Sequence, residues 1–241
     1  HGVFRRQRQM CIRDRFEALE NMTRWDWGQD LFEWFEYYLQ ERGPKPSLDA
    51  QIQRNDGQWR VEETWPPADR EPFTLDLSDC GNDGAFVGGG LSVVGGGQTV
   101  TVECPDINDD RDIHIAGLPT LHLSAVPTFD GGQVFIEMQD AMTGLRLGHA
   151  TMDVRYHEGG YEPQTVIPGQ QITMMMEFQG IDAILPAGNG LRFIFSDQGE
   201  DYLAPACGNA CTVHILPSLS VFEAPTVERG PETILTVPQP Q

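Results

Sequence analysis

Lysine is nearly missing: Lys45 is the single lysine in 241 residues, so almost every positive charge is an arginine. Positive charge of any kind is scarce, with Lys+Arg 16 against Asp+Glu 36, a formal net charge of −20 and a pI near 4.4. Such a surface repels phosphate backbones and anionic lipid, which excludes nucleic acid and membrane surfaces as partners. Long apolar runs are absent as well, since no stretch approaches the roughly 20 residues that cross a bilayer as a helix. No signal-peptide pattern opens the chain and its first residue is not Met, so it reads as a fragment. The compartment, cytoplasmic or secreted, is left open.

Patterns for cofactors and metals are also wanting. Gly88-Gly89-Gly90 and Gly95-Gly96-Gly97 are followed by neither Lys-Ser/Thr nor a spaced G-x-G-x-x-G, so they read as loop glycines and no nucleotide cofactor is expected. The acidic run Asp106 to Asp112 lacks the Gly and Glu of an EF-hand at the required places, which leaves a solvated loop ahead of an irregular calcium site. His157-Glu158 continues into Gly159-Gly160 instead of H-E-x-x-H. His114 and His122 fall at polar positions of adjacent strands and read as surface histidines; no metal site is expected. Ser92 lacks the G-x-S-x-G elbow that exposes a nucleophile.

Five cysteines remain. Cys11 stands apart, while Cys80, Cys104, Cys207 and Cys211 could form two disulfides in any of three pairings or stay reduced. Cys207 and Cys211 bracket a loop of small residues that could close on itself.

The first fifteen residues differ from the rest. Five arginines crowd them, and the string from Arg8 to Arg15 resembles translated adapter sequence, so residues 1–15 read as a junction artefact or disordered segment rather than a basic arm. From Asp30 to Arg42 the spacing of Leu31, Trp34, Phe35 and Tyr38 predicts a helix with one aromatic stripe, stopped by Gly43-Pro44 and read as core packing. Beyond Pro46 the pattern changes to short alternating runs. They include Trp59–Val61, Phe73–Leu77, Val100–Val102, Ile113–Ile115, Leu121–Leu123, Val134–Met138, Ile172–Phe178, Leu191–Phe195 and Val213–Ile215. Eight or more strands with turn residues between them predict a mainly β fold, an antiparallel sandwich or jelly roll. Met174 to Met176 read as core filler. Residues 218–241 are Pro-rich and read as a tail.

Several of these segments, in this order, resemble one family. Leu31 to Leu39 is similar to the helix that closes the α/β-hydrolase domain of the Xaa-Pro dipeptidyl-peptidase and cocaine-esterase-like (CocE/NonD) serine hydrolases. Trp59-Arg60 and Trp65-Pro66-Pro67 resemble the opening of that family's C-terminal, galactose-binding-like jelly roll. Asp112 to Pro119 resembles its "DVxIxGPxxL" strand, and Val166-Ile167-Pro168-Gly169 and Pro186 to Phe193 resemble later signatures.

The resemblance implies a domain order: residues 16–46 as the end of a truncated α/β-hydrolase domain, 47–217 as the jelly roll, then the tail. It implies that the catalytic Ser and Asp lie upstream and that the jelly roll packs on the missing N-terminal domain. The full enzyme would hydrolyse a small peptide or ester through an acyl-enzyme. The family's catalytic His precedes the closing helix in a "GPWxH" turn. His1 stands at about that spacing, across the suspect junction, and is not assigned the role. The loop after the "LRxxIxSSD" strand approaches the family's substrate pocket, which makes Asp197, Asp201, Tyr202 and Leu203 the pocket-loop candidates. The rival expectation is a free-standing carbohydrate- or ligand-binding jelly roll with an exposed aromatic platform.

Overall fold

The computed structural model describes residues 27–81, 92–94, 99–105, 107, 110–199, 210–229 and 234–235. Helix α1 runs Trp27–Gln40. Its end is made by Glu41, which takes φ +55°. The Glu41 N–H donates to Tyr37 O at 3.2 Å, the bond of an αL cap, and the Arg42 N–H reaches back to Glu36 O at 3.1 Å. The helix therefore stops short of the Gly43-Pro44 signal, because a residue with a side chain has adopted the left-handed turn.

The aromatic stripe of α1 is not core among the described residues. Trp34 and Tyr38 are each 41 % exposed, and their ring contacts, Trp34 to Tyr38 at 4.7 Å and Trp34 to Phe35 at 5.5 Å, lie within the helix itself. A period of 3.6 residues marks a face that avoids water; it does not say what covers that face.

The chain divides into two units, one drawn from His1–Ala68 with Glu228–Gln241 and one from Asp69–Val227. The first holds α1 and a three-stranded antiparallel sheet of β1 (Ala50–Gln53), β2 (Trp59–Glu62) and β15 (Ile234–Leu235), with β2 central. Asn55-Asp56-Gly57 turns β1 into β2, with Gly57 at φ +82°. Arg60 is buried and paired with Glu62, which also accepts Arg229 Nε at 2.7 Å.

The second unit is a β-sandwich. One sheet has the order β5 (Val100–Cys104), β12 (Leu191–Ser196), β8 (Gln133–Asp140), β9 (Arg146–Asp153). The other runs β11 (Ile181–Leu185), β6 (Ile113–Gly117), β14 (Val221–Thr226), β7 (Thr120–Pro127), β13 (Val213–Ile215), β4 (Ser92–Val94). Strand β10 (Ile172–Glu177) adds to β7 and β3 (Glu71–Asp76) to β14. All pairings are antiparallel, and the mainly β expectation holds.

Alternation builds the core. Leu191, Phe193 and Phe195 of β12 and Val134, Ile136 and Met138 of β8 point inward and are fully buried, as period-2 strands require. Met174 and Met176 are buried while Met175 is exposed, so the methionine run fills the core from one face only. Phe193 meets Phe222 of β14 across the sandwich at 5.2 Å between ring centroids.

That contact corrects the expected tail. Val221–Thr226 pairs with β3 along its whole length and with β7 at Val221 to Glu223, and Phe222 is fully buried. Pro225 hid the strand. It stands opposite Pro72, where neither residue has an amide hydrogen to contribute, as a proline in a sheet requires. Strand β4 includes Ser92, while the two glycine triplets beside it lie outside the described residues.

At the far end of β12 the sheet is drawn tight. Asp140 accepts the N–H groups of Met142 and Thr143, both at 2.9 Å, and the Asn189 side-chain amide at 3.0 Å. This network holds the turn before β12 so close to β5 that a Cβ at Gly190 would stand 2.2 Å from Cys104 O and 2.9 Å from Pro105 Cα.

Candidate functional site

Strand β12 carries the chain out of the sandwich through Ser196 and Asp197, the start of the predicted pocket loop. Asp197 continues the inward row of Leu191, Phe193 and Phe195, so its side chain enters the core end instead of solvent and is 1 % exposed. Neither carboxylate oxygen has a hydrogen-bond partner among the described residues. Its backbone carbonyl accepts Gln133 Nε2 at 3.3 Å. Asp201, Tyr202, Leu203 and Cys207 lie outside the described residues, as does His1. Of the predicted pocket-loop residues, the structure thus places Asp197.

The outward row of the same strands forms a cavity that sequence patterning did not single out. Its volume is about 200 Å³ and its walls are Phe135, Glu137, Arg146, Ile194, Ser196, Gln198 and Gly199. Antiparallel register explains the grouping: Phe135 stands opposite Ser196, Glu137 opposite Ile194, and Glu137 opposite His149 on the other side. Gly199 closes one end. A Cβ there would stand 2.5 Å from the Phe135 ring, so the bare glycine lets the loop lie against that ring.

The charges around the cavity are mutually satisfied. Arg146 Nε lies 3.5 Å from Glu137 Oε2, and Arg146 Nη2 donates to His149 Nδ1 at 2.9 Å. Gln139 Nε2 donates to Glu137 Oε1 at 2.5 Å. The guanidinium centre stands 6.0 Å from the Phe135 ring centroid, at the limit of a cation–π contact. Ser196 Oγ donates to Gln198 O at 2.7 Å. The lining side chains of the cavity therefore carry no net charge.

Elsewhere, the side chain of His114 is 7 % exposed and its Nε2 lies 2.7 Å from Asp182 Oδ1. The expected surface histidine is a buried one, because β6 is covered on both faces. His122 keeps the expected exposure, 3.7 Å from Glu223. Asp112, in the acidic run, accepts the Ala187 N–H at 3.0 Å, so this carboxylate anchors a turn; Asp106, Asn108 and Asp109 lie outside the described residues. Among the described residues no three His, Cys, Asp or Glu side chains gather as a metal site. Cys80 is bonded to Cys104. Cys211 is disulfide-bonded as well.

No protein-family model matches the chain, and no curated protein does. Solved structures share its fold. An aminopeptidase from a marine sediment archaeon, Thaumarchaeota archaeon, aligns with TM-score 0.53 and 10 % identity over 85 % of this chain and 44 % of its own. A CocE/NonD family hydrolase from Staphylococcus aureus aligns with TM-score 0.53 and 11 % identity over 83 % of this chain and 45 % of its own. An alpha-amino acid ester hydrolase aligns with TM-score 0.51 and 14 % identity over 82 % and 44 %. The chain spans less than half the length of these hydrolases, and at such identities the likeness is one of fold.

Proposed function

We propose that this chain is the C-terminal, non-catalytic part of a serine hydrolase of the Xaa-Pro dipeptidyl-peptidase or acyl-esterase type. It packs on an α/β-hydrolase domain and shapes the substrate pocket through the loop that starts at Asp197. The observation that carries this reading is the fold likeness itself. More than four-fifths of this chain aligns with less than half of each of three hydrolases. The half-exposed Trp34 and Tyr38 support it, because an aromatic helix face of this kind gains from a covering domain. In the whole enzyme, an upstream Ser and His carry out acyl transfer with an oxyanion hole, and the substrate is a small peptide or ester.

Recovering the coding sequence upstream of residue 16 from the source DNA tests the reading. A continuous frame containing G-x-S-x-G and Gly-Pro-Trp-x-His supports it, and the expressed whole protein then hydrolyses an Xaa-Pro anilide or an acyl ester. In that protein Tyr202→Ala lowers kcat/KM. A start codon immediately ahead of residue 16, with no hydrolase domain, overturns the assignment.

A further inference from the structure

Cys80 and Cys104, bonded to each other, are 5 % and 2 % exposed, and Cys211, held by a second disulfide, is 3 % exposed. Cys80 follows the short turn Leu77–Asp79 at the end of β3, a strand of the sheet that contains β14. Cys104 ends β5, which lies at the edge of the four-stranded sheet beside β12. The bond therefore ties one sheet of the sandwich to the edge of the other. Next to it, the Gly81 N–H donates to Glu103 O at 2.5 Å and closes the same junction.

Burial decides what kind of disulfide this is. A bond that performs or senses redox chemistry needs a sulfur that a thiolate can reach. These sulfurs are shielded while the sandwich is closed, so the bonds are structural. The same burial fixes when they form. By thiol–disulfide exchange, Cys80 and Cys104 give up two protons and two electrons to the disulfide of an oxidant, which leaves as a dithiol. The exchange passes through a mixed disulfide on one of the two sulfurs, and a closed core has no room for that adduct. The bond is therefore made while the chain is still folding. A cytosol keeps thiols reduced throughout that period, and oxidation after closure meets buried sulfurs. We propose that the protein carrying this chain is exported, crosses its membrane before it folds, and folds in an oxidising compartment where a disulfide-bearing thiol oxidant makes these bonds. This inference does not depend on the hydrolase reading. That reading falls on an upstream frame without a catalytic domain; this one falls on where the protein folds and on the state of its thiols.

The test expresses the whole coding frame, recovered from the source DNA, in a bacterial host. Thiols are trapped with N-ethylmaleimide in intact cells, the cells are fractionated, and the cysteines are mapped by mass spectrometry without reductant. The protein is expected outside the cytosol, with Cys80, Cys104 and Cys211 unlabelled. In a second arm the 241-residue chain is made twice, once in the reducing cytosol and once behind an export signal that passes unfolded chains. The exported chain should be soluble and oxidised. The cytosolic chain, reduced, should be insoluble or melt about 10 °C lower. Two results overturn the proposal: a whole protein that stays in the cytosol, folded, with these thiols labelled, or a reduced cytosolic chain that melts where the oxidised one does.

Discussion

His114 Nε2 and Asp182 Oδ1 stand 2.7 Å apart on neighbouring strands β6 and β11, with both side chains out of solvent. A buried polar pair of this kind is costly to break from one side, because the surviving partner keeps its desolvation cost without its hydrogen bond. Asp182→Ala is expected to lower unfolding stability by about 3 kcal/mol. Asp182→Asn retains an acceptor oxygen and should cost clearly less. Urea denaturation of the two variants measures the difference; equal losses would mean that the contact with His114 contributes nothing.

The bond between Cys80 and Cys104 closes a loop over a sequence separation of 24. In the chain-entropy treatment a loop of that length is worth about 3.5 kcal/mol against the unfolded state. The double variant Cys80→Ser/Cys104→Ser should lose roughly that amount in urea denaturation, with a larger m-value because its unfolded chain is less compact. A reductant should then destabilise the unaltered chain by more than the double variant, which no longer carries the Cys80–Cys104 bond.

Asp153 caps the short turn Val154–Tyr156 and is gripped by Arg155, through Nε at 2.9 Å and Nη2 at 2.6 Å, and by the Arg155 N–H at 2.9 Å. Burial works against its charged form, but the hydrogen bonds and charge of Arg155 outweigh it and hold the carboxyl below its ordinary value of 3.8. A depressed carboxylate stabilises the fold above the unfolded-state value and loses that contribution as pH falls through the folded one. The stability gap between the unaltered chain and Asp153→Asn should therefore be flat from neutral pH to about 5 and shrink below about 4. A gap that widens on acidification would reverse the sign and refute the assignment.

Phe222 lies fully buried between Phe178 and Phe193, at 6.0 and 5.2 Å. Phe222→Ala should cost about 3–5 kcal/mol. Truncation after Leu216 should yield an unfolded or insoluble chain, because it removes a strand lying between β3 and β7. A soluble truncated product with native circular dichroism would mean that residues 218–241 are dispensable after all.

The sandwich was legible where its strands bury one face only. Leu191-Phe193-Phe195 and Val134-Ile136-Met138 alternate cleanly, and this alternation alone predicts both strands. Strands β11 and β9 escape the pattern, because Ile181 to Leu185 and Leu147 to Ala150 are covered on both faces or bent by the bulge near Met138 and Gln139, so that period 2 is lost. Strand β14 was missed because Pro225 reads as a breaker unless its partner is known to be Pro72. The cavity could not be read from spacing, since Phe135, Arg146 and Ser196 come from three strands and meet only through register. His114 looked like a solvent-facing position for the same reason: nothing local announces that both faces of β6 are covered.

The closeness of Gly190 to Cys104 O, 2.2 Å for a side chain that is not there, bears on how relatives of this chain are recognised. Position 190 is closed to every single-nucleotide change from glycine as long as β5 stays where it is. A homologue with a side chain at this place has paid for it by moving the strand that carries the cysteine. A bare glycine ahead of β12 and the present spacing of β5 thus go together whatever side chain stands at 104, because the atoms in the way are backbone.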